Sequence, residues 1–122
     1  MTGAAPLRVL VVEDEVLVAM LIEDMLRELG CEVVALSGTL DDALRRAQAD
    51  DLDVAVLDVN LNGRQSLPVA DALRVRGLPF LFATGYGRKI LGVAYDGVPV
   101  LQKPFGRDEL RGALAKVLPG RL

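Results

Sequence analysis

A short apolar run in the middle of the chain decides the predicted fold: Val54-Ala55-Val56-Leu57-Asp58. Such a run, bounded by loop-forming residues, predicts a strand buried on both faces, as in a parallel sheet. The residues after it, Val59-Asn60-Leu61-Asn62-Gly63, predict a loop. Asp58 is therefore expected at the carboxyl end of a central strand, where open α/β sheets bind ligands. An aspartate at this place could also serve only to cap the turn, so the rest of the chain has to decide.

The length and composition predict one domain with a proper core. The chain has 122 residues, of which 52% are hydrophobic and 25% charged, and this is the usual size of a single domain. Only 4% are aromatic, so leucine, valine and alanine are expected to build the core. Residues 1–122 are interpreted as one domain without an effector domain, in which residues 1–6 form a flexible N-terminus.

Several functional classes are excluded by composition. The net charge of −3 gives no reason to expect nucleic-acid binding. Cys31 is the only cysteine, which excludes an internal disulfide and fits a reducing, cytoplasmic location. The absence of histidine excludes a Ser-His-Asp triad and a histidine metal cage. No signal peptide or membrane-spanning run is present in the sequence.

Apolar runs and helical patterns alternate along the whole chain. Strands are predicted at 7–12, 32–36, 54–57, 79–83 and 98–102, and helices at 16–29, 39–48, 66–76 and 107–118. The interval 88–97 predicts only an irregular helix, because glycines interrupt it. In the first helix, the spacing of four apolar residues predicts one common face: Leu17, Leu21, Met25 and Leu29.

This alternation indicates an α/β fold with helices on both faces of a parallel sheet. The flavodoxin-like, doubly wound order 2-1-3-4-5 suits five strands in a chain of this length. In that order the first and third strands are neighbours. Glu13 and Asp14, which follow the first strand, are then expected to converge with Asp58 at one edge of the sheet.

The residues expected at this edge suggest phosphoryl-transfer chemistry. Three crowded carboxylates repel one another, and a divalent cation relieves the repulsion. An all-oxygen, partly hydrated site suits Mg²⁺. Lys103 after the fifth strand supplies a cation, and Thr84 after the fourth supplies a hydroxyl. Taken singly, Lys103 would be interpreted as a surface lysine and Thr84 as a turn residue; their common position at strand ends favours the site.

These motifs, in this order, resemble a response-regulator receiver (CheY-like) domain over nearly the whole chain. The resemblance implies that Asp58 accepts a phosphoryl group from a histidine kinase or a histidine phosphotransferase. It also implies that Asp14, Asp58 and the backbone carbonyl of Asn60 hold Mg²⁺, with Glu13 acting through water. Thr84 and Lys103 would contact the phosphoryl oxygens, and the bond from Lys103 to Pro104 would be cis. A phosphoacceptor of this family is not expected to be an enzyme acting on other substrates.

One departure points to a subgroup. Many receivers carry an aromatic switch residue three positions before the lysine, where this chain has Val100. Instead, residues 79–86 (PFLFATGY) resemble the "FAT GUY" subgroup, which is often stand-alone and commonly works with HWE-type kinases. Phe82 or Tyr86 could then replace the missing aromatic, although Phe82 could equally be a core residue.

Three rival interpretations fit less well. A haloacid-dehalogenase phosphatase would need an acid where this chain has Asn60, a pseudo-receiver would not keep Asp58, Thr84 and Lys103, and a flavodoxin would need a phosphate-binding loop instead of acids after the first strand. For a receiver, the favoured output is phosphorylation-dependent binding of a downstream protein partner. The alternative is a phosphate sink or shuttle in a phosphorelay.

Overall fold

Five parallel strands form the central sheet of this computed structural model, which describes residues 5–85 and 95–121. In chain order they are β1 (Arg8–Val12), β2 (Glu32–Ser37), β3 (Val54–Asp58), β6 (Phe80–Thr84) and β7 (Val100–Gln102). The short strands β4 (Asn60–Leu61) and β5 (Arg64–Gln65) form a separate hairpin. The order across the sheet is β2-β1-β3-β6-β7. When the hairpin is left out, this is the predicted order 2-1-3-4-5, so the predicted flavodoxin-like fold is confirmed.

Within the described residues, four helices cover the two faces of the sheet: α1 (Val16–Glu28), α2 (Leu40–Ala49), α3 (Leu67–Val75) and α4 (Arg107–Val117). Their bounds lie within one or two residues of the prediction. Thr39 is the expected N-cap of α2, since its hydroxyl accepts a hydrogen bond from the Asp42 N–H at 3.2 Å. Each helix thus begins after the carboxyl end of a strand and leads the chain back toward the amino ends of the strands.

Strand β3 is the centre of the core, and all five of its residues are buried. Its side chains alternate between two layers, as the two-residue period of a strand requires. Val54 and Val56 pack with α1 and α4, whereas Ala55 and Leu57 pack with α2 and α3. Because β3 pairs with β1 on one side and β6 on the other, its last residue is held in a fixed place between two neighbours.

The inward face of α1 is only partly the predicted one: Met25 and Leu29 are half-buried against the core, but Leu17 and Leu21 are not. Leu17 and Leu21 are 76% and 62% exposed, and the buried residues of this helix are Ala19, Ile22 and Leu26. The error arises because residues 16–22 are all apolar, so spacing alone cannot define a face there. The helix therefore presents an exposed apolar surface, which we call the α1 outer face: Val16, Leu17, Met20 and Leu21.

The loop predicted at 59–63 contains a small β-hairpin, β4 (Asn60–Leu61) and β5 (Arg64–Gln65). The two residues between these strands, Asn62 and Gly63, have positive φ angles of 52° and 84°. Two consecutive left-handed residues are typical of the tight turn that joins twisted antiparallel strands, and Asn-Gly is the favoured pair. Leu61 is buried in the core and anchors the hairpin to the sheet.

Two further expectations can be compared with the described residues. The Lys103–Pro104 bond is cis, as the family resemblance implied. The irregular helix expected at 88–97 falls largely on residues 86–94, which lie outside the described residues, as does Tyr86. Among the helices of residues 5–85 and 95–121, none has both the length and the apolar character needed to cross a membrane.

Candidate functional site

The carboxyl ends of β1 and β3 bring three acidic residues together. Glu13 and Asp14 follow β1, and Asp58 ends β3; one carboxylate oxygen from each lies within 4.8 Å of the others. Glu13 and Asp58 are buried, while Asp14 is half-buried. The convergence predicted from the strand order is therefore confirmed. The arrangement is an acidic pocket, open to solvent on the side of Asp14.

Lys103 supplies the positive charge of this pocket. It directly follows β7, and its ammonium donates hydrogen bonds to the Glu13 carboxylate and, at 3.2 Å, to Oδ2 of Asp58. Its backbone N–H donates to the carbonyl of Thr84 at 2.8 Å, which joins the ends of β6 and β7. Burial lowers the pKa of Lys103, but the hydrogen bond to Glu13 and the charge of Asp58 outweigh this and raise it overall. Lys103 is therefore protonated at neutral pH.

Glu13 is the acidic residue most affected by its surroundings. Burial, together with the neighbouring charge of Asp58, raises its pKa to about 7, against the opposing effect of its hydrogen bonds to Lys103 and to the Glu15 N–H. A carboxylate with this pKa holds its proton well above its usual range. A second cation would therefore favour the ionised form of Glu13.

Thr84 and Asn60 lie at the same edge. Thr84 is the last residue of β6 and is buried, and the residue before it, Ala83, pairs with Asp58. Asn60 donates its backbone N–H to Oδ1 of Asp58 at 3.2 Å, while its side-chain oxygen accepts the N–H of Gly63 at 2.9 Å. The side chain of Asn60 is thus engaged within the hairpin, and the resemblance assigned the metal to its backbone carbonyl.

Two contacts at the pocket were not predicted. The buried hydroxyl of Ser66, which precedes α3, donates to the backbone carbonyl of Asp58. The N–H of Asn62 donates to Oδ2 of Asp14 at 3.1 Å. The Asn62-Gly63 pair was a usable hairpin signal in the sequence. Ser66 offered no signal beyond its position before a helix.

Of the two aromatic residues proposed to replace the switch aromatic, Phe82 lies within the described residues. Phe82 is fully buried and lies between Phe80 and Tyr95, with edge-to-face ring contacts at 5.6 Å and 5.4 Å. It is therefore a core residue, which was one of the two alternatives. Val100 pairs with Phe82 across the sheet and is only half-buried. Tyr95 was not considered from the sequence, yet it closes this aromatic group.

The donor set of the pocket fits a small divalent cation. Three carboxylates supply only oxygen donors, which Mg²⁺ prefers, and the open side leaves room for water ligands. Neither sulfur nor imidazole nitrogen takes part in the cluster of Glu13, Asp14 and Asp58, so softer metals gain nothing from it. The residues present are therefore those that an Mg²⁺ site requires.

Comparison with known proteins identifies the family. The model of the response regulator receiver domain matches residues 9–115. The transcriptional regulatory protein PdtaR of Mycobacterium tuberculosis is 31% identical over 116 residues, which cover 92% of this chain and 57% of that protein. This chain spans about half the length of the curated relatives that it matches.

Two solved structures are similar over nearly the whole chain. The solution structure of SdrG from Sphingomonas melonis Fr1 is 44% identical, with a TM-score of 0.84 over 94% of this chain and 98% of that one. The receiver domain of PhyR from Erythrobacter litoralis is 26% identical, with a TM-score of 0.82 over 93% of this chain and 91% of that one.

Proposed function

Since this chain belongs to the family of response-regulator receiver domains, we propose that it accepts a phosphoryl group on Asp58 in an Mg²⁺-dependent reaction and passes the signal on by binding a protein partner. The observation that carries the proposal is the contact of one cation, Lys103, with both Asp58 and Glu13 at the acidic pocket. An aspartate that only capped a turn would not require a half-buried lysine in contact with two carboxylates.

The proposed reaction is a direct transfer between two proteins. A carboxylate oxygen of Asp58 forms a bond to the phosphorus of a phosphohistidine, the bond from phosphorus to the imidazole nitrogen breaks, and an acyl phosphate and a free histidine result. Lys103 lies within hydrogen-bonding distance of Asp58 and would balance the charge that gathers on the phosphoryl oxygens.

The cation proposed for the pocket is Mg²⁺. Asp14, Asp58 and the backbone carbonyl of Asn60 would hold it, and Glu13 would act through a water ligand. When bound, Mg²⁺ supplies positive charge opposite the oxygens of the transferring group. Two groups of the chain act beside it: the Asn60 N–H holds Asp58 by a hydrogen bond, and Lys103 donates a hydrogen bond to the Glu13 carboxylate.

The phosphodonor that we propose is a histidine kinase or a histidine phosphotransferase, with an HWE-type kinase as the more specific candidate. The α1 outer face begins two residues after Asp14 and exposes four apolar side chains. Beside it lies a small apolar depression lined by Val18, Met25, Pro104 and Phe105. An apolar surface next to the phosphoacceptor is where a donor protein would dock. We also propose that the protein and its donor meet in the cytoplasm.

For the output, we favour a binding switch. Thr84 lies at the end of β6, and its carbonyl is tied to Lys103, so a phosphoryl group on Asp58 would draw both residues toward it. The related protein SdrG has a BeF₃-activated conformation, and a comparable activated state is proposed here. A phosphate sink or shuttle is the alternative, because it needs only that Asp58 gain and lose phosphate.

The test of the proposal is labelling by a small phosphodonor. Acetyl phosphate with Mg²⁺ should add one phosphoryl group, measured by intact mass spectrometry, and Asp58→Asn should abolish it. Asp51→Asn is the matched control, since Asp51 is an exposed aspartate paired with Arg8 near the start of β3, at the other end of that strand. Equal labelling of wild type and Asp58→Asn would refute Asp58 as the acceptor.

A further inference from the structure

The hairpin β4–β5 contacts two carboxylates of the acidic pocket. At its base, the Asn60 N–H donates to Oδ1 of Asp58 at 3.2 Å. At its tip, the Asn62 N–H donates to Oδ2 of Asp14 at 3.1 Å, across a separation of 48 residues. The hairpin therefore links the end of β3 to Asp14, the second residue after β1.

The base of the hairpin is firmly fixed. Leu61 is buried in the core, and the Ser66 N–H donates to the carbonyl of Val59 at 2.8 Å. The Ser66 hydroxyl donates to the carbonyl of Asp58. Because these contacts hold both strands to the sheet, the position of the turn depends on its own backbone conformation.

Asp14, by contrast, has little else to orient it. Within residues 5–85 and 95–121, its carboxylate accepts no other hydrogen bond and forms no ion pair. It is also the half-buried member of the acidic cluster. Among the described residues, the group that holds the Asp14 carboxylate is therefore the N–H of Asn62.

We propose that the Asn62-Gly63 turn is a positioning element for Asp14, and that it sets the affinity of the pocket for Mg²⁺. This inference rests on the proposed function and deepens it. With one Asp14 oxygen held by the Asn62 N–H, the carboxylate is already fixed beside Glu13 and Asp58, so less reorganisation is needed when the cation binds. Hydrogen bonds to the carboxylates that ligate a metal commonly change the affinity of the site for that metal.

The left-handed conformation of the turn makes the proposal testable. Gly63 has a φ of 84°, and a Cβ added there would meet no atom within 4 Å. Replacing Gly63 by valine therefore acts through the backbone, because a β-branched residue strongly disfavours positive φ. Gly63→Asn should keep the turn, because asparagine tolerates this conformation.

Gly77 provides a matched control. It has a φ of 71°, also has open space around its Cβ position, and follows α3. Since α3 leads away from the carboxyl ends of the strands, Gly77 lies near their amino ends, on the side of the sheet opposite the pocket. Gly77→Val thus imposes a comparable backbone strain without touching the hairpin.

The experiment is an NMR titration of the unphosphorylated protein with MgCl₂ alone. We expect Gly63→Val to raise the Mg²⁺ dissociation constant about tenfold, and Gly63→Asn and Gly77→Val to bind like wild type. Labelling by acetyl phosphate in Gly63→Val should recover at saturating Mg²⁺. In the metal-free protein, amide exchange at Asn62 should become faster in both Gly63→Val and Asp14→Ala. This measurement requires neither bound Mg²⁺ nor phosphorylation.

The outcomes separate this inference from the proposed function. If wild type neither binds Mg²⁺ nor is labelled, the proposed function fails. If wild type does both and Gly63→Val binds Mg²⁺ equally well, or more tightly, only the role of the turn is refuted. Unchanged Asn62 exchange in Asp14→Ala would refute the hydrogen bond itself, and this measurement decides the question even if Gly63→Val does not fold.

Discussion

Tyr95 donates its phenolic hydrogen to Oδ1 of Asp71 at 2.9 Å, joining α3 to the residue where the described chain resumes after residue 85. The guanidinium carbon of Arg74, one turn further along α3, lies 4.6 Å from the centre of the Tyr95 ring. Phe82 meets the same ring edge-on. A single side chain therefore connects a helix, a central strand and the approach to β7.

Removing this hydroxyl should weaken the fold measurably. Tyr95→Phe should lower the free energy of unfolding by about 1 kcal/mol, because Asp71 is exposed and keeps water as a partner. Tyr95→Ala should cost about 3 to 5 kcal/mol, since the ring is buried. Urea denaturation gives both values. In a double-mutant cycle, Tyr95→Phe should cost less once Asp71 is alanine than it does in the wild type, because the two groups share a hydrogen bond; full additivity would contradict that hydrogen bond.

Removal of the metal ligand or of the metal should have the same consequence. Asp14→Ala should abolish detectable Mg²⁺ binding and lower labelling of Asp58 by acetyl phosphate at least about tenfold, because the pocket loses its most accessible carboxylate. EDTA should lower labelling of the wild type to a similar extent. Labelling that persists unchanged in EDTA would show that the pocket works without a divalent cation.

Asp42 predicts a dependence of stability on pH away from the pocket. Hydrogen bonds from Ser37 and Arg46 lower its pKa from 3.8 to about 2. Because the folded-state pKa lies below the unfolded one, the stabilisation is present above about pH 4 and is lost as the pH falls to about 2. After allowance for solvent screening it should amount to about 1 to 2 kcal/mol.

The measurement compares Asp42→Asn with wild type by urea denaturation across this pH range. The difference in unfolding free energy should be largest near neutral pH and disappear near pH 2. Asp41→Asn is the matched control, since Asp41 is an exposed carboxylate in the same first turn of α2. It should show only the small effect of a charge near a helix N-terminus. A pH-independent difference for Asp42→Asn would refute the shift.

If a donor protein docks on the α1 outer face, a substitution on that face should slow transfer from the protein but not labelling by acetyl phosphate. Leu17→Asp should lower the rate of transfer from a protein phosphohistidine about tenfold, equivalent to about 1.4 kcal/mol, while labelling by acetyl phosphate stays as in wild type. Leu17 is 76% exposed, so its replacement should not alter stability by more than about 0.5 kcal/mol. Val75→Asp is the control, since Val75 is 88% exposed at the far end of α3. Equal losses in both variants would contradict docking on α1.

Thr84 separates a switch from a sink or shuttle. Thr84→Ala should leave labelling of Asp58 largely intact, because the acidic residues and Lys103 remain. It should nevertheless abolish signalling to the downstream partner, because no hydroxyl then responds to the phosphoryl group. The assay is the signalling output of a Thr84→Ala strain, with Asp58 labelling followed in parallel. Full signalling from that strain would favour the sink or shuttle.

The elements that were predicted correctly are those whose evidence is local and periodic. The buried run ending in Asp58, the cap at Thr39 and the order of strands and helices all follow from spacing along the chain. Once the strand order is known, the meeting of Glu13, Asp58 and Lys103 follows from topology alone, because parallel strands end at one edge.

The parts that were not predicted depend on contacts between distant segments. The orientation of α1 could not be read, since an uninterrupted apolar run leaves every face equally suited to burial. The hairpin after β3 was predicted only as a loop, because a pair such as Asn62-Gly63 is common both in irregular loops and in hairpin turns. The ring of Tyr95 finds its partners on α3, and no spacing rule relates those two positions.

The division of α1 into two faces has a consequence for how such a protein can diversify. Ala19, Ile22 and Leu26 are the buried residues of the helix, whereas the four residues of the α1 outer face are 49% to 76% exposed. Substitutions on the outer face are therefore nearly neutral for folding and leave the acidic pocket untouched. If a partner docks on this face, as proposed above, duplicated copies of such a chain could diverge in the partner that they bind while they keep the same acidic pocket.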